Sequence, residues 1–207
     1  MNLNTAMNTK ELENKVFFDK WAESYDWPLF QFWMRRFYRP LLQNLSQEMK
    51  DSDSLLDTSC GSGEFLRELS QKGKGELHGM DFSEEMVQKA RNKLTTKAHL
   101  RQGDVHQLPY PENTFDYVVS TEAFHHYHDQ KKALSEMKRV VIKGGKVIVV
   151  DIHFILPFIH RLFERFEPGC VKIHSRKELK ELFVEAGLHN IQQQRSFLFA
   201  IETRGIK

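Results

Sequence analysis

The sequence predicts an α/β fold: a doubly wound, mostly parallel seven-stranded sheet with helices on both faces, preceded by an N-terminal helical cap. Three observations predict it. From Ser54 onward, short apolar runs of strand length alternate with segments of helical periodicity. The connections between them are short, which in an alternating chain implies parallel strands joined by crossover helices. The first strand also runs through a small-residue turn, Ser59-Cys60-Gly61-Ser62-Gly63, straight into a helix.

The elements follow in order. Residues 1–50 form the expected cap: Asn8 or Thr9 can start a helix whose Leu12, Val16 and Phe17 share a face. An aromatic, basic run follows, from Trp27 to Leu42, with Arg35, Arg36 and Arg39. Residues 51–207 read as the α/β unit, folding as one piece with the cap. Ser54–Thr58 is strand one, and a helix with Phe65, Leu66 and Leu69 inward stops near Gly73. Glu76–Met80 is strand two, ending at Asp81, and Ser83 caps a helix carrying Met86, Ala90 and Leu94. His99–Gln102 and Phe115–Ser120 are strands three and four. Asp129 begins a helix bearing Ala133, Leu134, Met137 and Val141, and Gly144-Gly145 turns the chain into strand five, Lys146–Ile152. Residues 153–173 form an apolar lid insertion. Ser175-Arg176-Lys177-Glu178 is a capping box for a helix through Leu179, Leu182 and Phe183 that stops at Gly187. Two strands, Ile191–Arg195 and Phe197–Glu202, finish the sheet.

Composition narrows the function. The 207 residues carry 30 Lys plus Arg and 28 Asp plus Glu, a formal charge of +2, which argues against nucleic acid as the main partner. A 40% hydrophobic chain with 16 Phe has material for a sizeable core. Cys60 and Cys170, the 2 cysteines, are too far apart in sequence to form a CxxC pair or a thiolate cluster, which disfavours zinc, disulfide and arsenic chemistry. The most apolar stretch, Val147 to Ile159, is interrupted by Asp151, His153 and Pro157, short of the roughly 18–20 apolar residues of a membrane span. The polar start, Met1 to Thr5, has no basic segment followed by an apolar one. A soluble, cytoplasmic protein is expected.

In doubly wound sheets, ligands bind at the carboxyl ends of the strands, where strand order reverses. Three strand ends carry residues suited to a nucleotide-like ligand. Gly61 and Gly63 let backbone approach a ligand, next to the free N–H groups of a helix start; taken alone, this is equally a plain tight turn. Asp81, 18 residues past Gly63, is placed to accept ribose hydroxyls, though a carboxylate there can also simply cap the next turn. Asp104, in Gly103-Asp104-Val105, can accept an adenine amino group or be an ordinary turn residue. A dinucleotide fingerprint would need a third glycine where Leu66 or Glu64 stands, and no Gly-Lys-Ser/Thr exists, so NAD is disfavoured and a phosphate loop excluded.

Together with Phe17 to Asp26, Leu55 to Gly63, Gly79 to Ser83, Phe115-Asp116, Phe124-His125-His126 and Lys143-Gly144-Gly145, these pieces occur in one order over about residues 15–152. In that order the sequence resembles class I S-adenosylmethionine-dependent methyltransferases, Rossmann-like enzymes of the small-molecule type that includes ubiquinone and menaquinone biosynthesis. The resemblance implies S-adenosylmethionine as cofactor. Asp57 and the turn through Ser59, Gly61 and Gly63 would hold its methionine portion, Asp81 the ribose with Phe82 beside the adenine, and Asp104 the adenine amino group with Val105 against the ring. Thr121 would stand near the methionine end, and Tyr25 would close over the cofactor. The family usually has glycine at the position of Ser59, which bears on cofactor affinity.

A small, apolar or aromatic acceptor is expected, methylated by direct displacement, with His126 as candidate base just past strand four. The plainer reading is that His126 packs within its loop. The cap and the 153–173 insertion would select the acceptor, and Trp27–Leu42 is a candidate for peripheral membrane contact. The competing reading is a non-catalytic cofactor-binding or partner subunit with the same fold.

Overall fold

The computed structural model describes residues 27–94, 97–154 and 157–207. Its seven strands are β1 (Ser54–Asp57), β2 (Glu76–Asp81), β3 (His99–Gln102), β4 (Phe115–Thr121), β5 (Val141–Ile152), β6 (His189–Phe197) and β7 (Ala200–Ile206), in the order β3-β2-β1-β4-β5-β7-β6. β1 to β5 pair in parallel, and β7 runs antiparallel between β5 and β6. Among the described residues there are six α-helices: α1 (Pro28–Glu48), α2 (Glu64–Ser70), α3 (Glu84–Leu94), α4 (Gln130–Val140), α5 (Pro157–Phe166) and α6 (Arg176–Glu185). This is the doubly wound sheet that the sequence predicts.

Alternation along the strands sorts the core into two layers. Leu55, Val119, Ile148 and Val150 face α1, α2 and α3, packing with Leu41, Leu45, Leu66, Leu69 and Ala90. Leu56, Val118, Val147 and Val149 face α4 and α6, against Leu134, Met137, Leu179 and Phe183. Each fully buried leucine or valine contributes about 1.5–3 kcal/mol. α1 shares the first layer, and Glu48 at its end meets Arg204 of β7 at 2.8 Å. The cap helix is therefore fastened to the sheet by both apolar and ionic contacts. The expected caps are present: Ser83 Oγ accepts the Met86 amide at 3.2 Å, and Ser175 with Glu178 closes a capping box.

Two boundaries differ from the sequence reading. β5 begins at Val141, where α4 ends, and not at Lys146; Phe115 pairs with Val141 and Tyr117 with Lys146, so the extra residues form an irregularity around Gly144. β6 and β7 are longer than Ile191–Arg195 and Phe197–Glu202, because the turn falls at Leu198-Phe199. Two-residue hairpin turns usually carry Gly or Asn; this one is made of exposed apolar residues, which read as strand.

Candidate active site

Strand order reverses between β1 and β4, and the loops after β1 to β4 diverge around a cavity of about 450 Å³. Thr58, Ser59, Gly61, Asp81, Phe82, Gly103, Asp104, Val105 and Thr121 line it on one side. Met34 and Phe37 of α1 roof it, and Glu122, His125, His126, Ile152, Phe163 and Glu167 line the far end. Most predicted residues therefore meet at one cavity.

Asp81 ties the first two strand ends together. Its Oδ2 accepts the Gly61 amide at 2.8 Å and its Oδ1 the Ser83 amide at 3.0 Å. Gly61 has φ 51°, a conformation costly for residues with a Cβ. Asp104 Oδ1 accepts from the His106 amide at 2.9 Å and from its Nδ1 at 2.6 Å. Since the Asp129 amide donates to His106 Nε2 at 3.3 Å, the ring proton sits on Nδ1. Burial pushes Asp104 upward, but these bonds outweigh it and hold the carboxyl below its ordinary value.

Two predicted residues stand apart from the cavity lining. Asp57 is fully buried beneath the turn: Oδ1 accepts the Ser59 amide at 3.2 Å, and Oδ2 has no hydrogen-bond partner among the described residues. Burial, with Asp81 nearby, lifts its pKa to about 7. Gly63, at φ 83°, brings α2 against α3; a Cβ there would lie 2.9 Å from Leu94 Cδ1 and 3.0 Å from Ala90 Cβ. Its place in the turn is a packing requirement. Tyr25 lies outside the described residues, as does the segment from Phe17 to Asp26.

Ser59 is not among the residues with positive φ, so a side chain is tolerated there. Its hydroxyl donates to the Thr58 carbonyl at 2.9 Å and meets the Tyr127 hydroxyl at 2.6 Å, which also bonds Ser120 Oγ at 2.9 Å. The sequence reading missed Tyr127, and burial lifts its pKa to about 12.

At the far end, His125 Nδ1 bonds Asp151 Oδ1 at 2.5 Å. Burial works against the charged ring, but Asp151 and Glu167 outweigh it and raise its pKa to about 10. His126 is pushed well below its usual value by burial and by His125, and one ring N–H donates to the Gly169 carbonyl. Burial and Asp151 push Glu122 well above the carboxylate range. Glu122 also holds φ 56°, a strained backbone for a residue with a Cβ and one found preferentially at functional sites. Glu122, Asp151 and Glu167 were missed by the sequence reading. Glu122 follows Thr121 directly and was in reach, whereas Glu167 comes from the segment after α5 with no local motif.

A doubly wound sheet of this order, with a cavity at its strand ends, is the fold of class I methyltransferases, and the comparisons with known proteins place the chain among them. The family described as "Methyltransferase domain" matches residues 56–149. The demethylmenaquinone methyltransferase of Bacillus licheniformis is 28% identical over 90% of this chain and 92% of its own length. That of Staphylococcus aureus is 30% identical over 69% of this chain and 70% of its own. Among solved structures, a chain of the complex between the Haloferax volcanii Trm112 methyltransferase activator and a methyltransferase superposes with TM-score 0.79 at 26% identity, covering 91% of this chain and 96% of that one. The chain belongs to the S-adenosylmethionine-dependent methyltransferases of the ubiquinone and menaquinone type. Among the described residues, no helix is long and apolar enough to cross a membrane.

Proposed function

We propose that the protein transfers the methyl group of S-adenosylmethionine to a small apolar or aromatic acceptor of quinol type, and that both ligands share the one cavity. The observation that carries this reading is the cavity's division: nucleotide-compatible residues at one end, and apolar side chains with titratable groups at the other. The residues present fit the cofactor. All line the cavity: Asp81 would accept from a ribose, Phe82, Met86 and Val105 offer apolar surface for an adenine, and Asp104 would accept from its amino group. Ser59 and Thr121 line the same cavity and are candidates to meet the methionine end.

When bound, the cofactor supplies an electrophilic methyl carbon, so the protein's task is alignment and exclusion of water. Phe37, Ile152 and Phe163 give the acceptor an apolar berth. His126, kept neutral by burial and by His125, carries a lone pair able to take a proton from an acceptor hydroxyl. The relatives named for demethylmenaquinone support a quinol-like acceptor. Exposed Trp27, Phe32, Phe158, Leu162 and Phe166 would let the enzyme meet such an acceptor at a lipid surface. A role as a partner subunit is less favoured, because the cavity stands open.

Methyl-labelled S-adenosylmethionine and a demethylated quinol should give a labelled quinol. No binding heat at millimolar cofactor would remove the enzymatic reading. Normal binding with no product from any apolar aromatic acceptor would remove the acceptor assignment.

A further inference from the structure

We propose that His125, His126 and Glu167 form a binding site for one divalent transition-metal ion of the zinc class at the acceptor end of the cavity. The inference rests on the acceptor-end reading above.

The geometry carries it. One ligand atom from each of the three residues falls within a common 4.8 Å. His125 Nε2 lies 3.6 Å from Glu167 Oε2, and His126 Nε2 lies 4.0 Å from Glu167 Oε1. A gap of 3.6 Å is too long for a hydrogen bond. It is close to the separation of about 3.4 Å expected for two ligands 2.0–2.2 Å from one tetrahedral ion. His125 is 2% exposed, and neither its Nε2 nor Glu167 Oε2 has a hydrogen-bond partner among the described residues.

The supporting shell is that of a metal site. Ligating histidines commonly donate their other ring N–H to a carboxylate or a backbone carbonyl, which fixes the tautomer and turns the lone pair toward the ion. Asp151 does this for His125. Two carboxylates, Asp151 and Glu167, flank His125 at this end of the cavity. Two nitrogens and one oxygen suit zinc or its borderline neighbours over magnesium or calcium. The remaining coordination position opens to the cavity, where an acceptor oxygen can bind.

The test is metal titration of the full chain after chelator dialysis, using zinc by calorimetry and cobalt by visible absorption. One ion per chain is expected, with cobalt bands typical of low-coordinate nitrogen and oxygen ligation. Glu167→Gln should weaken binding by at least about tenfold, and His126→Gln likewise. The exposed group Glu76, His78 and His99 is a competing surface site, so His99→Ala serves as control and should leave the stoichiometry unchanged. No stoichiometric ion, or an ion lost in His99→Ala and kept in Glu167→Gln, would overturn the proposal. S-adenosylmethionine titration of the same samples separates this failure from failure of the methyltransferase reading: cofactor binding without metal binding sinks only the metal site.

Discussion

Asp81 accepts the Gly61 amide at 2.8 Å, so the carboxylate at the end of β2 holds in place the turn that follows β1. One side chain thus shapes the loop and faces the cavity. Asp81→Ala should weaken S-adenosylmethionine binding by about 1–3 kcal/mol, the scale of hydrogen bonds to a charged group. Calorimetric titration checks it; wild-type affinity would refute the assignment.

His126→Ala should lower kcat while leaving cofactor affinity unchanged, since His126 follows β4 whereas Asp81 and Asp104 come from β2 and β3, across β1. Single-turnover rates with the labelled methyl donor read this directly. A wild-type rate would leave His126 a packing residue.

Ser59→Gly, which installs the residue usual in the family, should destabilise the protein by about 1–2 kcal/mol. Backbone freedom in the unfolded chain and the lost contacts to Thr58 and Tyr127 both contribute. Urea unfolding measures it.

Asp57 should make stability pH-dependent. The fold favours its neutral form, because burial raises its pKa from 3.8 to about 7. Stability is unaffected below about 4, declines as pH climbs toward 7, and stays reduced above it. The gap corresponds to a penalty on the order of 4 kcal/mol. Asp57→Asn keeps an oxygen for the Ser59 amide and should be more stabilising at pH 8 than at pH 5.

His125 acts in a higher window. Its folded pKa of about 10 lies above the unfolded value, near 6.5. The stability it contributes is complete below about 6.5 and is lost as pH rises through 10. Asp151→Asn removes the carboxylate that most raises this pKa and should flatten denaturation midpoints between pH 7 and 10.

The strand-end side of the cavity was legible because it is local: Asp81 closes β2, Asp104 lies two residues past β3 and Gly61 four past β1, and sheet topology alone brings strand ends together. Asp57 and Gly63 belong to the same motif, but one lies beneath the turn and the other braces α3, a distinction set by side-chain direction and not by spacing. The end proposed for the acceptor was barely legible. His126 stood out by residue type, whereas Asp151 and Glu167 reach it only through the path of β5 and the segment after α5. The apolar turn Leu198-Phe199 hid the last hairpin for a related reason: turn chemistry was absent where the turn occurs.

Glu167 and Phe163 enter the cavity from the lid, while Gly61, Asp81 and Asp104 enter from the sheet. Under the proposed function, the lid residues would contact the acceptor and the strand-end residues the donor, from separate stretches of chain. Exchanging residues 153–173 with those of a relative should transplant selectivity for the molecule being modified and leave the donor half intact, so that new specificities can arise by swapping a single cassette.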